Sequence, residues 1–251
     1  MSGLIWLSDE QMARIAPYVP KSHGKPRVDD CRVISGIIYI IRNGLQWKDA
    51  SRDYGPHKTL YNRFVRWSRM GVVAEIFLEL VRAGQLAETI MIDSTHIKAQ
   101  RMAASLGKRG ALPRHIGRSK GGLTSKVHAV CDALGRPLRL WLSAGQISDY
   151  TGARALLGRL PAARTMLADR GCDADWFREG LEDQGIAPCI PSRRGRKEPI
   201  LHDPKLYALR HRIENMFARL KDWRRVATRY DRCADLYLSA VALAATVIFW
   251  L

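Results

Sequence analysis

The stretch Thr89-Ile-Met-Ile-Asp93 marks the point where this 251-residue chain changes its hydrophobic period. An uncharged apolar run ends on a carboxylate, which reads as a buried strand meeting a loop. Thr165-Met-Leu-Ala-Asp169 repeats the pattern. Between them, Thr124 to Cys131 and Pro137 to Leu142 read as two strands around the turn signal Asp132-Ala-Leu-Gly135. Thr151 to Leu160 and the amphipathic run Asp173 to Gln184 read as helices, Ile186 to Ile190 as a strand, and Pro204 to Arg224 as one long helix. The order strand, strand, strand, helix, strand, helix, strand, helix describes an α/β domain that opens with a hairpin. The stretch holding Gly107, Gly110, Pro113, Gly117, Gly121 and Gly122 reads as a loop, as does the basic run Ser192 to Lys197.

Upstream of Thr89 the period is helical. Ser8 and Gln11 stand at capping-box spacing. Val28 to Ile41 carries an apolar stripe at 33, 34, 37, 38 and 41. His57 to Trp67 places Leu60, Phe64 and Trp67 on one face and Lys58, Arg63 and Arg66 on another, and Val72 to Leu80 forms a fourth helix. Short helices with one basic face fit either a helix-turn-helix-like DNA-binding module or a plain bundle with solvated charges. The expected division is a small all-helical domain over 1–85 and the α/β domain over 86–251. Leu236 to Leu251 is uncharged and mostly apolar. It is shorter than the about 20 residues of a membrane span, so a buried terminal helix is expected and no membrane association.

Charge narrows the function classes. Lys plus Arg number 41 against 24 Asp plus Glu, a formal charge of +17. Lys98 to Lys126 holds 8 basic residues and no acidic one, and Arg193 to Arg232 holds 13 basic and 5 acidic, so each block carries +8. Two concentrated blocks point to a polyanionic partner, nucleic acid or anionic lipid. A hydrophobic fraction of 47% with seven Trp excludes a disordered chain. Five scattered Cys without a Cys-x2-Cys pair give neither a disulfide framework nor a zinc site. The N-terminal run lacks the basic region and length of a signal peptide, so a cytoplasmic location is expected.

Asp93 and Asp169 occupy the strand ends where α/β sheets bind ligands, although capping is the simpler role for a single Asp. Asp173 and Asp175 read as helix caps. Glu214 lies mid-helix, and at about 100° per residue Tyr207, Arg210, Glu214 and Lys221 share one face. A surface Arg–Glu pair at i, i+4 accounts for two of these and not for all. Three carboxylates gathered in a basic cleft repel one another, and a divalent cation removes that repulsion. Oxygen ligands with room for water and phosphate suit Mg²⁺, and two such ions about 3.5–4 Å apart serve phosphodiester chemistry.

These residues resemble DDE transposases of bacterial insertion sequences, in particular the insertion sequence 5 family. The resemblance rests on Met91-Ile-Asp93-Ser-Thr-His96, Gly117-Arg-Ser-Lys-Gly-Gly-Leu-Thr124, Ala168-Asp-Arg-Gly-Cys-Asp-Ala-Asp-Trp176 and the spacing Tyr207-x2-Arg210-x3-Glu214-x6-Lys221. It covers nearly the whole chain. It implies an RNase H-like core with Asp93, Asp169 and Glu214 as catalytic and metal-holding residues, binding two Mg²⁺, with Mn²⁺ as a substitute. Tyr207, Arg210 and Lys221 would contact DNA or organise the site. Arg118, Lys120, Arg193, Arg194, Arg196 and Lys197, with Lys58, Arg63 and Arg66 in the helical domain, would hold DNA phosphates. The implied partners are double-stranded DNA, as transposon ends and as target, and further copies of the chain assembled on it, at the nucleoid of a bacterial cytoplasm. The implied reaction is metal-dependent strand cleavage followed by 3′-OH strand transfer. The resemblance also implies a terminal helix packed on the catalytic core, and only slight consequence of Cys172 where relatives often carry an aromatic residue. A DNA-binding protein without catalysis, or a nuclease that cuts and does not join, are the alternatives.

Overall fold

The computed structural model describes residues 3–21, 29–84, 87–105 and 114–251. In chain order its elements begin with helices α1 (Asp9–Ile15), α2 (Asp30–Asn43), α3 (His57–Arg69) and α4 (Val72–Ala83). Strand β1 (Thr89–Ala99), helix α5 (Arg101–Ala104) and strands β2 (Gly117–Ser119), β3 (Gly122–Asp132) and β4 (Pro137–Ala144) follow. Then come α6 (Asp149–Leu157), β5 (Thr165–Leu167), α7 (Asp175–Glu182), β6 (Ala187–Cys189), α8 (Pro204–Tyr207), α9 (His211–Lys221), α10 (Arg224–Ala227), β7 (Thr228–Arg229) and α11 (Ala234–Phe249).

The chain divides into two compact units. One comprises Met1–Ala83, Gln100–Arg114 and Leu220–Leu251, the other Gly84–Ala99 and His115–Arg219. The second unit is built on a sheet in the order β2-β3-β1-β5-β6, with β4 also paired to β3. One half is antiparallel: β3 runs against β1 from Ile90↔Asp132 to Lys98↔Thr124, and against β4. The other half is parallel, β1 with β5 and β5 with β6. A parallel neighbour needs a crossover. The segments holding α6 and α7 supply the two crossovers here. The expected α/β core with its opening hairpin is therefore present.

Three expected boundaries move. The first strand does not stop at Asp93 but runs to Ala99, paired to β3 along the way. Its last four residues, His96 to Ala99, alternate polar and apolar, and Ile97 and Ala99 are buried, so one face there belongs to the core. The stretch read as a loop contributes β2 and the start of β3 as a hairpin around Lys120 and Gly121; Gly107, Gly110 and Pro113 lie outside the described residues. The helix expected over 204–224 is broken. A 3₁₀ turn, Ala208–Arg210, separates α8 from α9, and α9 ends before α10 begins.

The first unit is helical. The Asp29 carboxylate caps α2 by accepting from the Cys31 and Arg32 amides, while Ser8 and Gln11 form the expected capping box of α1. The apolar stripe of α2 (Ile34, Ile37, Ile38) meets Phe64 and Trp67 of α3 and Leu243 of α11 around one apolar pocket. Val28 and the expected domain boundary at 85 and 86 lie outside the described residues. The terminal helix is buried along most of its length, as expected, but it packs with α2, α3, α4 and α10 and is grouped with the front helices. This corrects its expected place on the catalytic core. The front helices present a wide apolar stripe that needs a cover, and a helix apolar on every side supplies it. Among the described residues, no helix is long and apolar enough to cross a membrane.

One close approach fixes α6 on the sheet. A Cβ on Gly152 would lie 2.0 Å from Nδ1 of His128 on β3, a fully buried ring. Gly152→Ala should therefore overpack this contact and lower unfolding stability by about 1–3 kcal/mol. Urea denaturation measures this, and an unchanged midpoint would contradict the packing.

Candidate active site

The register of the parallel pair places the first two carboxylates. Met91 of β1 lies opposite Leu167 of β5. Two residues further along each chain are Asp93 and Asp169, so both emerge at the same level, beyond the carboxyl end of β5. Here β5 turns away into the 3₁₀ turn Arg170–Cys172 and a cleft opens, as at ligand sites of open α/β sheets. Ile92, Asp93, Ser94, His128, Asp149, Ala153, Asp169 and Cys172 line it. Asp169 stands at the N-cap of that turn yet makes no side-chain cap bond. The capping role therefore does not occupy its carboxylate.

Asp93 is held from two sides. Its Oδ2 accepts from Arg210 Nη1 at 2.7 Å and its Oδ1 from the Ser94 amide at 2.8 Å. Burial pushes its pKa above the usual carboxylate value; Arg210 and the Ser94 amide oppose this, and Asp169 and Asp149 add to it. Arg210 also reaches Glu214, with Nη2 and Oε1 3.3 Å apart. Burial works against the Arg210 charge, but Asp93, Tyr207 and Glu214 together hold its pKa above the ordinary value. Tyr207, in α8, is half-buried with its ring edge-on to His202.

The expected helical stripe is thus only partly realised. The structure brings Asp93 and Asp169 into one cleft and joins Glu214 to it through Arg210. The Glu214 side chain itself is 61% exposed. Lys221 ends α9 in the other compact unit, where burial lowers its pKa. Among the described residues, no three His, Cys, Asp or Glu side chains stand close enough to hold a metal together.

The donor chemistry can nevertheless be tested. Burial, then Asp169, pushes the Cys172 thiol far up, so it stays protonated and is a poor ligand. The His128 ring is pushed down to about 4 by burial, and its Nε2 is engaged by Ser143 Oγ at 2.9 Å. Carboxylate oxygens remain as the ligands, and these suit a hard cation such as Mg²⁺ or Mn²⁺.

Sequence reasoning missed a fourth acidic group. Asp149 opens α6 and lines the same cleft. Its Oδ1 accepts from Ser94 Oγ at 2.5 Å and from Lys126 Nζ at 3.3 Å. Burial would raise its pKa, but these partners bring it below the usual value. Lys126 is only 7% exposed at its side chain. Its signal was present as a lone cation inside the apolar strand Thr124–Cys131. Asp149 escaped notice because it precedes the helix expected from Thr151, whereas α6 begins at Asp149 with Ser148 as its cap.

The expected phosphate contacts divide into free and engaged groups. Arg118 and Lys120 are exposed on the β2–β3 hairpin, and Lys58 and Arg66 on α3. Arg63 is instead bonded to Asp30 at 2.9 Å and lies over the Trp67 ring. Arg193, Arg194 and Lys197 are exposed, whereas Arg196 is paired with Asp173 and Asp175. Asp173 is not the helix cap expected of it: Ala174 occupies that position, without a side-chain cap bond.

Comparison with known proteins gives two family matches. Residues 7–77 match the family described as putative transposase of the IS4/5 family, and residues 84–249 match the transposase DDE domain. A putative transposase for insertion sequence element IS6501 of Brucella ovis is 35% identical over 130 residues, covering 51% of this chain and 99% of the relative. A putative transposase for element IS402 of Burkholderia cepacia is 32% identical over 137 residues, covering 50% of this chain and 63% of the relative. Among solved structures, the piggyBac transposase synaptic complex with hairpin DNA matches with a TM-score of 0.50 at 10% identity. That match covers 94% of this chain and 69% of the other, and it is a likeness of fold.

Asp93 supplies a pH test of the site. Its folded pKa lies above the unfolded value, so the native state binds the proton more tightly and stability falls as pH rises through that interval. Asp93→Asn removes the loss. With a chelator present, the variant should be more stable than the parent at neutral pH, and the difference should vanish below about pH 4. A less stable variant at neutral pH would contradict the burial argument.

Proposed function

This chain belongs to the DDE-domain transposases of the IS4/5 type, and on that premise we propose that Asp93, Asp169 and Glu214 carry its strand cleavage and 3′-OH strand transfer. The observation that carries the assignment is the shared level of Asp93 and Asp169 at the cleft, with Arg210 joining Glu214 to Asp93. Divalent metal use goes with the family; we assign Mg²⁺, with Mn²⁺ as a substitute, to these three carboxylates. When bound, the ions activate the attacking oxygen and stabilise the leaving one.

The chain's own residues do the rest. Arg210 offsets the repulsion among the acidic groups and holds Asp93 and Glu214 in reach of one another. Lys126 and Asp149 fix the Ser94 hydroxyl, and with it the backbone that carries Asp93. The exposed cations Arg118, Lys120, Arg193, Arg194 and Lys197 hold the flanking phosphates. Residues 1–85, with the exposed Lys58 and Arg66, bind the inverted repeats of the element. The rest, apart from the terminal helix grouped with the front helices, acts as the catalytic domain, on DNA of a bacterial nucleoid, in assemblies of several copies.

Asp93→Asn, Asp169→Asn and Glu214→Gln should each lower metal-dependent cleavage of end-containing DNA by about 10³-fold or more, the equivalent of several kcal/mol. End binding should persist. Retained cleavage in any of the three would remove that residue from the site. Cleavage without joined products would leave a nuclease, and binding without cleavage in the parent would leave a DNA-binding protein.

A further inference from the structure

Asp173 is a buried carboxylate outside the cleft, and the proposed reaction gives it no task. It is fully buried, yet its two oxygens are well supplied with donors. Oδ1 accepts from Arg178 Nε at 2.8 Å. Oδ2 accepts from the Arg193 amide at 2.8 Å and from Arg196 Nε at 2.9 Å. Arg178 also donates through Nη2 to the Ile190 carbonyl at 2.7 Å, and Arg196 through Nη2 to Asp175 at 2.5 Å. One acidic side chain therefore gathers the start and the middle of the basic loop that follows β6. The far end is closed by Ser192, whose Oγ accepts from the Ile200 amide at 2.7 Å.

This arrangement sorts the cations of the loop. Arg196 points inward and its side chain is 14% exposed, while Arg193, Arg194 and Lys197 are exposed. A buried carboxylate with two guanidiniums is stable only while its partners remain, because a stripped partner leaves an uncompensated buried charge. The inward pair is thus a strut, and the outward cations are what the strut presents. Asp173 also lies four positions after Asp169, across the turn Arg170–Cys172, and its amide donates to the Arg170 carbonyl. The loop is anchored to the same short segment that carries the second cleft carboxylate.

We propose that Asp173 is a positioning residue for DNA: acting through Arg196 and the Arg193 amide, it holds the loop so that Arg193, Arg194 and Lys197 meet the phosphates flanking Asp169. The inference rests on the transposase reading and extends it, since it turns an expected phosphate contact, Arg196, into part of the support.

The test is the salt dependence of binding to a mixed-sequence DNA duplex, read by fluorescence anisotropy over a NaCl series. Each lost phosphate contact lowers the slope of log affinity against log salt by about 0.9. Arg194→Gln/Lys197→Gln should lower it by close to two such steps. Arg196→Gln, which leaves the Asp173–Arg178 pair in place, should lower it by more than one step, and adding it to the double variant should remove no more than the one step that Arg193 still supplies. Asp173→Asn should reproduce the loss, with faster amide exchange over 191–197 and unchanged protection of β1 and β3. General destabilisation would reduce the binding-competent fraction and leave the slope alone.

A slope change of one step or less for Arg196→Gln, additive with the double variant, would overturn the strut, and this holds even if Asp173→Asn fails to fold. A double variant with the parental slope would show that the loop does not touch DNA and overturn the proposal at its base. A parent without salt-dependent duplex binding would instead sink the transposase reading itself.

Discussion

The bond from Arg210 to Asp93 spans 117 positions of sequence and ties the segment around Glu214 to the middle of the sheet. Asp93 is drawn out of water with Asp169 and Asp149 acting on it, a setting that resists ionisation. The guanidinium offsets that resistance and, through its second nitrogen, keeps Glu214 attached. Without it, the central carboxylate would lose its charge partner and α9 its link to the cleft. A divalent cation would meet a site whose acidity is already balanced, and it would compete with Arg210 for Asp93. The pairing therefore draws Asp93 and Glu214 together, and under the proposed function it sets the condition on which a metal would enter.

The same logic reshapes the +17 charge. Part of the basic complement faces inward. Lys126 neutralises Asp149, Arg178 and Arg196 neutralise Asp173, and Arg225 pairs with Asp231. Arg229 is fully buried, donating to the Asp231 and Arg232 carbonyls. These cations support carboxylates and loop carbonyls that would otherwise be costly to bury. The outward set is smaller than the sequence count, and it includes Arg118, Lys120, Arg193, Arg194 and Lys197 in the sheet-based unit. A basic chain of this kind uses its charge twice, for its own interior and for a polyanion outside.

The sequence was most legible where short uncharged runs end on a carboxylate. Ile90 to Ile92 and Met166 to Ala168 marked β1 and β5; Asp169 lies past the end of its strand as those runs predicted, whereas Asp93 sits inside a strand that continues to Ala99. Legibility failed where a polar residue has two ordinary roles. Ser94 to Ala99 looked like a loop entry because its polar face is half of an alternating strand. Asp173 looked like a cap because it precedes a helix, yet its partners are Arg178 and Arg196, neither of them fixed by local spacing. Asp149 and Lys126 meet only through the packing of α6 on β3. The partner of the terminal helix was illegible for a different reason: a helix apolar on all sides does not say which surface it covers. Glu214 was found by motif and spacing, whereas its attachment through Arg210 needed the fold.

The central claim is that Asp93 and Asp169 form one divalent-cation site to which Glu214 is tethered. Anomalous diffraction from crystals of the parent protein soaked in Mn²⁺ tests it most directly. The account predicts a manganese peak bonded to Asp93 and Asp169 carboxylate oxygens, with the Arg210 guanidinium moved away from Asp93. A fully soaked crystal with no manganese at these two residues, and Arg210 still bonded to Asp93, would contradict it.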